Sequence, residues 1–171
     1  MMADLANLNS SRLRTDQQEW EVIGSLTSSH ATLSTSERHW DDISQLDPSE
    51  FVYWEVPKDA NAIELRFQTD NDGDSHEVEI YASRGKQNHY VRMVALTLTG
   101  GAQDADNSRK FVDTIAVSSS SEQWYVSGVV VDSGNNGICR YMIDLYGYGD
   151  LVFIAPSLQS GSTLVIEASR V

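Results

Sequence analysis

Apolar residues recur at every second position in Ile63-Glu64-Leu65-Arg66-Phe67-Gln68 and again in Glu77-Val78-Glu79-Ile80-Tyr81-Ala82. Successive side chains on a β-strand point to opposite faces, so this period sets one face against a core. Phe51–Val56 is rich in aromatic and β-branched residues and stops at Pro57, which cannot donate to a ladder. Tyr90–Leu98, Phe111–Val117, Trp124–Val131, Ile138–Leu145, Leu151–Ala155 and Thr163–Ala168 continue the series, and Trp20–Leu26 adds a further strand. Turn chemistry lies between these runs: Pro57–Asn61, Asn71-Asp72-Gly73-Asp74, Arg84-Gly85-Lys86, Ser133–Gly137 and Ser160-Gly161. Strands at this spacing, with no stretch of helical period, predict an all-β fold. The expected form is an antiparallel two-sheet β-sandwich, jelly-roll-like, with an N-terminal extended arm.

The chain divides near residue 50. Residues 1–50 hold 9 acidic and 3 basic residues without sustained periodicity, and residues 51–171 hold the strands. We therefore expect an N-terminal arm and irregular segment over 1–50 and a β-sandwich domain over 51–171. Within the arm, Leu5, Leu8, Leu13, Trp20 and Trp40 are the apolar residues able to grip a surface, which makes them the candidate interface residues. Such a segment buries too little to order itself, so it either packs on its own sandwich or lies along a neighbour. Strands Tyr90–Leu98 and Val129–Val131 are apolar on both faces, so something must cover the outer one: the arm or another subunit.

Composition removes whole classes of function. A net charge of −13 argues against direct nucleic-acid binding through phosphate contacts. The single cysteine, Cys139, excludes an internal disulfide and a cysteine-cluster metal site. No apolar run approaches the length needed to cross a bilayer as a helix, so no membrane role is expected. MMADLANLNSSRLR has no apolar stretch after a basic start, so no secretion signal is expected.

Several residues resemble chemical equipment and are better explained otherwise. Asp70, Asp72 and Asp74 place alternate carboxylates where a hard cation binds, but Gly73 is fourth and Tyr81 twelfth, which is not the EF-hand pattern. A hairpin turn is the simpler reading. His30, His39, His76 and His89 show no metal-ligand spacing; His76 and His89 approach only if a hairpin about Lys86 brings them together, and they are expected at the surface. Glu77 and Glu79 lie about 6–7 Å apart on one strand face by the strand rise. That suits acid–base work, but a solvated edge is expected. Ser118–Ser121 is a loop without a nucleophile elbow, and Cys139 falls on the apolar face of its strand. Thr99–Ser108 reads as a polar surface or inter-subunit loop. Trp54 shares a face with Val52 and Val56 and belongs to the core, whereas Trp20 and Trp40 remain open as sugar-stacking or interface residues. No cofactor and no enzymatic activity are expected.

Arg140-Tyr141-Met142-Ile143-Asp144-Leu145-Tyr146-Gly147-Tyr148, followed by two short strands, resembles the small accessory capsid proteins of tailed bacteriophages. In those proteins an "apolar-Asp-Leu-x-Gly-Tyr" stretch ends a sheet before the final hairpin. The resemblance implies a decoration or cement protein on the capsid exterior of a virion assembled in the host cytoplasm. It also implies a homotrimer bridging neighbouring subunits of the major capsid protein. The acidity suits docking on a basic patch, and several modest contacts made at once give slow dissociation. The alternative is a carbohydrate- or receptor-binding module of a phage tail or cell surface.

Overall fold

A computed structural model describes residues 19–32, 37–39, 43, 45–69, 75–83, 89–103, 110–117, 128–132 and 139–171. Its strands are β1 (Glu21–Leu26), β2 (Glu37–His39), β3 (Phe51–Glu55), β4 (Ala62–Gln68), β5 (Ser75–Ser83) and β6 (His89–Gln103). They continue with β7 (Lys110–Val117), β8 (Gly128–Asp132), β9 (Cys139–Asp144), β10 (Asp150–Ser157) and β11 (Leu164–Arg170). Every pairing is antiparallel. The expectation of an all-β antiparallel protein is met, and each predicted strand has its counterpart.

Hydrogen bonding joins the strands into one sheet in the order β1-β11-β4-β7-β6-β5-β10-β3, nearly closed into a barrel. The described strands do not separate into the two sheets of a jelly-roll-like sandwich. β4 divides one of its edges: Ala62–Arg66 lie opposite β9, and Gln68 lies opposite Phe111 of β7. The two ends of the path meet at a glycine. A Cβ on Gly24 would sit 2.7 Å from both γ-carbons of Val52, so β1 and β3 come this close only because residue 24 has no side chain.

Inside the barrel, Ile63, Leu65 and Phe67 of β4 meet Val78 and Ile80 of β5, Leu151 and Phe153 of β10, Tyr141 and Ile143 of β9 and Ile166 of β11, all buried. The two-sided apolar reading of Tyr90–Leu98 has a local cause. Ile80 pairs with Val94 and Tyr81 with Arg92, which leaves Met93 in a bulge. Met93 and Val94 therefore both enter the core, and the parity of the strand changes between them.

A second, smaller core lies on the outer face. Tyr81, Tyr90, Val152 and Ile154 are buried there beneath Ile43, with Leu46 and Phe51 partly buried against them. Around Tyr90 the cover left open by the sequence is thus the N-terminal segment itself. Backbone bonds fasten it: His30 N–H donates to Ala155 O at 2.9 Å, and Thr27 and Ser28 N–H donate to Ser49 O at 3.2 Å. Asp47 Oδ1 accepts from the Ser49 N–H at 2.9 Å and shapes the turn behind Leu46.

Two expectations need correction. Thr99–Gln103 is strand, not loop: Gly100 lies opposite Val112 and Gln103 opposite Lys110, with bulges around Gly100. Paired glycines here mark a kinked strand; residues 104–109 lie outside the described residues. The last two strands are also no hairpin. β10 pairs with β5 and β3, whereas β11 pairs with β4 and β1, so the chain departs here from the capsid-protein pattern that it resembles.

Candidate functional site

The polar residues singled out in the sequence are mostly absorbed by the fold. Glu79 is not at a solvated edge, because β5 is flanked on both sides and the N-terminal segment crosses above it. Its Oε1 accepts from Arg92 Nη1 at 2.8 Å and from Thr32 Oγ1 at 3.0 Å, and its Oε2 accepts from the Tyr81 hydroxyl at 2.7 Å. Glu77 stays exposed opposite Thr97. One carboxylate is held by three donors and the other faces water, so the two do not form an acid–base pair.

His76 is fully buried rather than superficial. Its Nδ1 accepts from the Gln159 N–H at 3.2 Å, which places the ring proton on Nε2, 3.0 Å from Thr69 Oγ1. β5 and β6 pair, but His76 lies opposite Leu98, while His89 lies opposite His39 at the other end of β6. His76 and His89 do not meet, because a hairpin brings together residues equidistant from its turn. Cys139 is buried in the core with Tyr141 and Ile143, as its strand face implied.

Of the candidate interface residues, Trp20 is half-buried with the Arg66 guanidinium 4.3 Å from its ring centroid. Arg66 also lies 5.0 Å from the Phe111 ring and is paired with Glu167, so Trp20 forms one side of a Trp–Arg–Phe stack on the barrel wall. Leu5, Leu8, Leu13 and Trp40 lie outside the described residues, as do Asp70, Asp72, Asp74 and Trp124. Among the described residues no group of three acidic, histidine or cysteine side chains is placed to hold a metal.

Among the described residues, two adjoining clefts open at one end of the barrel, and the sequence reading missed them. The β3–β4 loop and the β9–β10 turn are fastened side by side there. Val56 N–H donates to Gly149 O at 2.8 Å, Leu145 N–H to Asn61 O at 2.9 Å, and Gly149 N–H to Ser83 O at 2.9 Å. The turn closes with Tyr148 N–H on Leu145 O at 2.8 Å. Its central residues, Tyr146 and Gly147, have φ of 48° and 83°. This is a type I′ arrangement, in which asparagine and glycine are the favoured pair and tyrosine is strained. Tyr146 is nonetheless 62% exposed.

Between loop and turn is a cleft of about 330 Å³ lined by Glu55, Val56, Pro57, Lys58, Asn61, Tyr148 and Asp150. A second, of about 390 Å³, shares the Pro57 wall and is lined by Glu19, Glu21, Trp54, Ser169 and Arg170 at the β1–β3 seam. Trp54 is half-buried against the core, as expected, yet contributes to this opening. Asp150 lines the first cleft and is buried, and the Tyr53 hydroxyl donates to its Oδ1 at 3.1 Å. Burial, reinforced by the Asp150 and Glu55 carboxylates, pushes the Tyr53 phenol up to about 12. The only sequence signals for this end were Pro57 and Tyr146-Gly147, which mark turns and say nothing of which turns adjoin.

No family model matches the chain, and no curated protein matches it. Among solved structures it is similar to the SPBc2 prophage-derived protein YomS, at 12% identity over 88% of this chain and 94% of that one, with a TM-score of 0.34. It is also similar to CorA, a surface-associated copper-binding protein of Methylomicrobium album BG8, at 10% identity over 92% of this chain and 94% of that one, with a TM-score of 0.36. At such TM-scores neither likeness carries an argument about this chain.

Proposed function

We propose that this chain is a structural virion protein that decorates a phage capsid, bridging neighbouring major capsid subunits. The observation that carries this reading is the turn at Tyr146. The stretch that resembles accessory capsid proteins ends in a strained type I′ turn presenting an exposed aromatic ring. A strained, solvent-facing tyrosine contributes little to its own fold, and strain held by a rigid frame is a mark of a contact site. The exposed Val171 lies close by, since Val171 N–H donates to Ala62 O at 3.3 Å beside Asn61. The net charge of −13 suits docking on a basic lattice surface.

Ile43, Leu46 and Phe51 are used in covering the domain's own outer face, which leaves Leu5, Leu8, Leu13 and Trp40 as the candidate lattice contacts on the N-terminal side. The test is co-sedimentation of the purified chain with heads assembled from the major capsid protein and lacking this one. The chain is expected to pellet at a fixed ratio to capsid subunits. Tyr146→Asp and removal of residues 1–18 should each weaken binding with the melting temperature kept. Absence of any binding to such heads refutes the reading; a trimer in sedimentation of the free chain supports the oligomer that the resemblance implies.

A further inference from the structure

The two clefts at the barrel end are alike in chemistry. The first offers an aromatic ring (Tyr148), two carboxylates (Glu55 and Asp150), one cation (Lys58) and one neutral polar side chain (Asn61). The second offers Trp54, then Glu19 and Glu21, then Arg170, then Ser169. Both are open on one side, both fall at the small end of the range of small-molecule clefts, about 300–1,000 Å³, and only Pro57 is common to their walls. We propose that this end of the barrel binds a neutral oligosaccharide, with consecutive pyranose rings in the two clefts.

A pyranose presents hydroxyls that donate and accept around its edge and a C–H face that packs on an aromatic ring. Each cleft supplies both kinds of partner: planar carboxylate acceptors, a cationic donor, a neutral side chain and a ring. The two carboxylates of each cleft repel an anionic sugar, and Arg170 is already paired with Asp59 at 3.1 Å, so the ligand carries no negative charge, and the ring in each cleft favours a pyranose over a small cation. The glycines of the turn keep the first cleft open. A Cβ at Gly147 or Gly149 would meet no atom within 4 Å, so the space beside the backbone is free. The cleft walls are held by the backbone bonds between Val56 and Gly149 and between Leu145 and Asn61, so little ordering is left to be done on binding. This inference is independent of the capsid reading, since a decoration protein and a tail or surface module can both carry such a cleft.

The experiment is ligand-observed NMR and calorimetry on the full chain. The probes are the methyl glycosides of glucose, galactose, mannose and N-acetylglucosamine, and the two-ring sugars cellobiose, lactose and chitobiose. At least one two-ring probe is expected to bind about tenfold tighter than its one-ring counterpart. Gly149 has no positive φ, so Gly149→Leu places a side chain in the first cleft without backbone strain. It should reduce two-ring binding about tenfold with the melting temperature unchanged. Asn61→Ala, at an exposed position, decides the matter if Gly149→Leu does not fold. The proposal is overturned if no probe binds, if binding survives both variants, or if glucuronate or butylamine binds better than the neutral sugars.

Discussion

The barrel closes where Gly24 of β1 faces Val52 of β3, and Gly24→Ala tests that closure directly. The added methyl would lie 2.7 Å from both γ-carbons of Val52 and 3.3 Å from its Cβ. Neither γ-carbon can swing away, because a valine has one stiff torsion and Val52 is only 5% exposed. Forcing a methyl into such a contact costs about 1–3 kcal/mol. Against this, replacing glycine in a strand recovers about 0.5–1 kcal/mol of chain entropy. The net is a loss of about 0–2.5 kcal/mol, centred near about 1 kcal/mol, and each kcal/mol lowers the melting temperature of a chain of this size by about 2–4 °C. Val52→Ala alone removes two buried methyl groups at about 0.8 kcal/mol each, plus the cavity they leave. In the double variant the new methyl enters that cavity, so the two changes should be sub-additive by about 1–2 kcal/mol. Differential scanning calorimetry of the four proteins reads this. A Gly24→Ala protein as stable as the parent, together with an additive cycle, would refute the meeting of β1 and β3.

Arg92→Met leaves Glu79 buried with its cation removed, and breaking a buried pair in this way costs about 3–5 kcal/mol; denaturant titration should show the midpoint falling with the slope unchanged. Burial pushes the Tyr141 phenol up to about 12 and the Tyr90 phenol upward as well. A phenol whose folded pKa is raised lends stability that is whole below the unfolded value, about 10, and lost as pH climbs from there through the folded one. Absorbance at 295 nm should therefore show these tyrosines ionising together with the loss of near-ultraviolet circular dichroism between about pH 10 and 12; smooth independent ionisation in a folded protein would contradict it.

Alternation made most strands legible, because a period of two is local: β4 and β5 can be read from a handful of residues. Which strand lies beside which is not local, and the same faces serve a sandwich or a barrel. That is why the path from β1 through β11 to β4 was not in view. Glu79 and His76 show the second limit. A polar residue on the outer face of a strand reads as solvated until something crosses above it, and Ile43 and Leu46 stand alone in a Ser- and Asp-rich stretch with no period to announce them. Met93 shows the third, since one bulged residue inverts the face of everything after it. The clefts were illegible for the same reason as the strand order. Tyr146-Gly147 and Pro57 each mark a turn, and only the backbone bonds between Val56 and Gly149 and between Leu145 and Asn61 make the two turns one surface.

The pairing of β1 with β11 has a consequence for how the chain is made. Glu21 lies opposite Ala168, so β1 leaves the ribosome well over a hundred residues before its partner β11. Until β11 arrives, β1 has no partner along that edge and β4 lacks the neighbour for its undivided side. Folding is then dominated by contacts distant in sequence, which makes it slow and places the decisive step after β11 has emerged. A nascent or truncated chain ending before Leu164 would expose two unpaired edges at once, and its fate would be association with other chains rather than a smaller barrel.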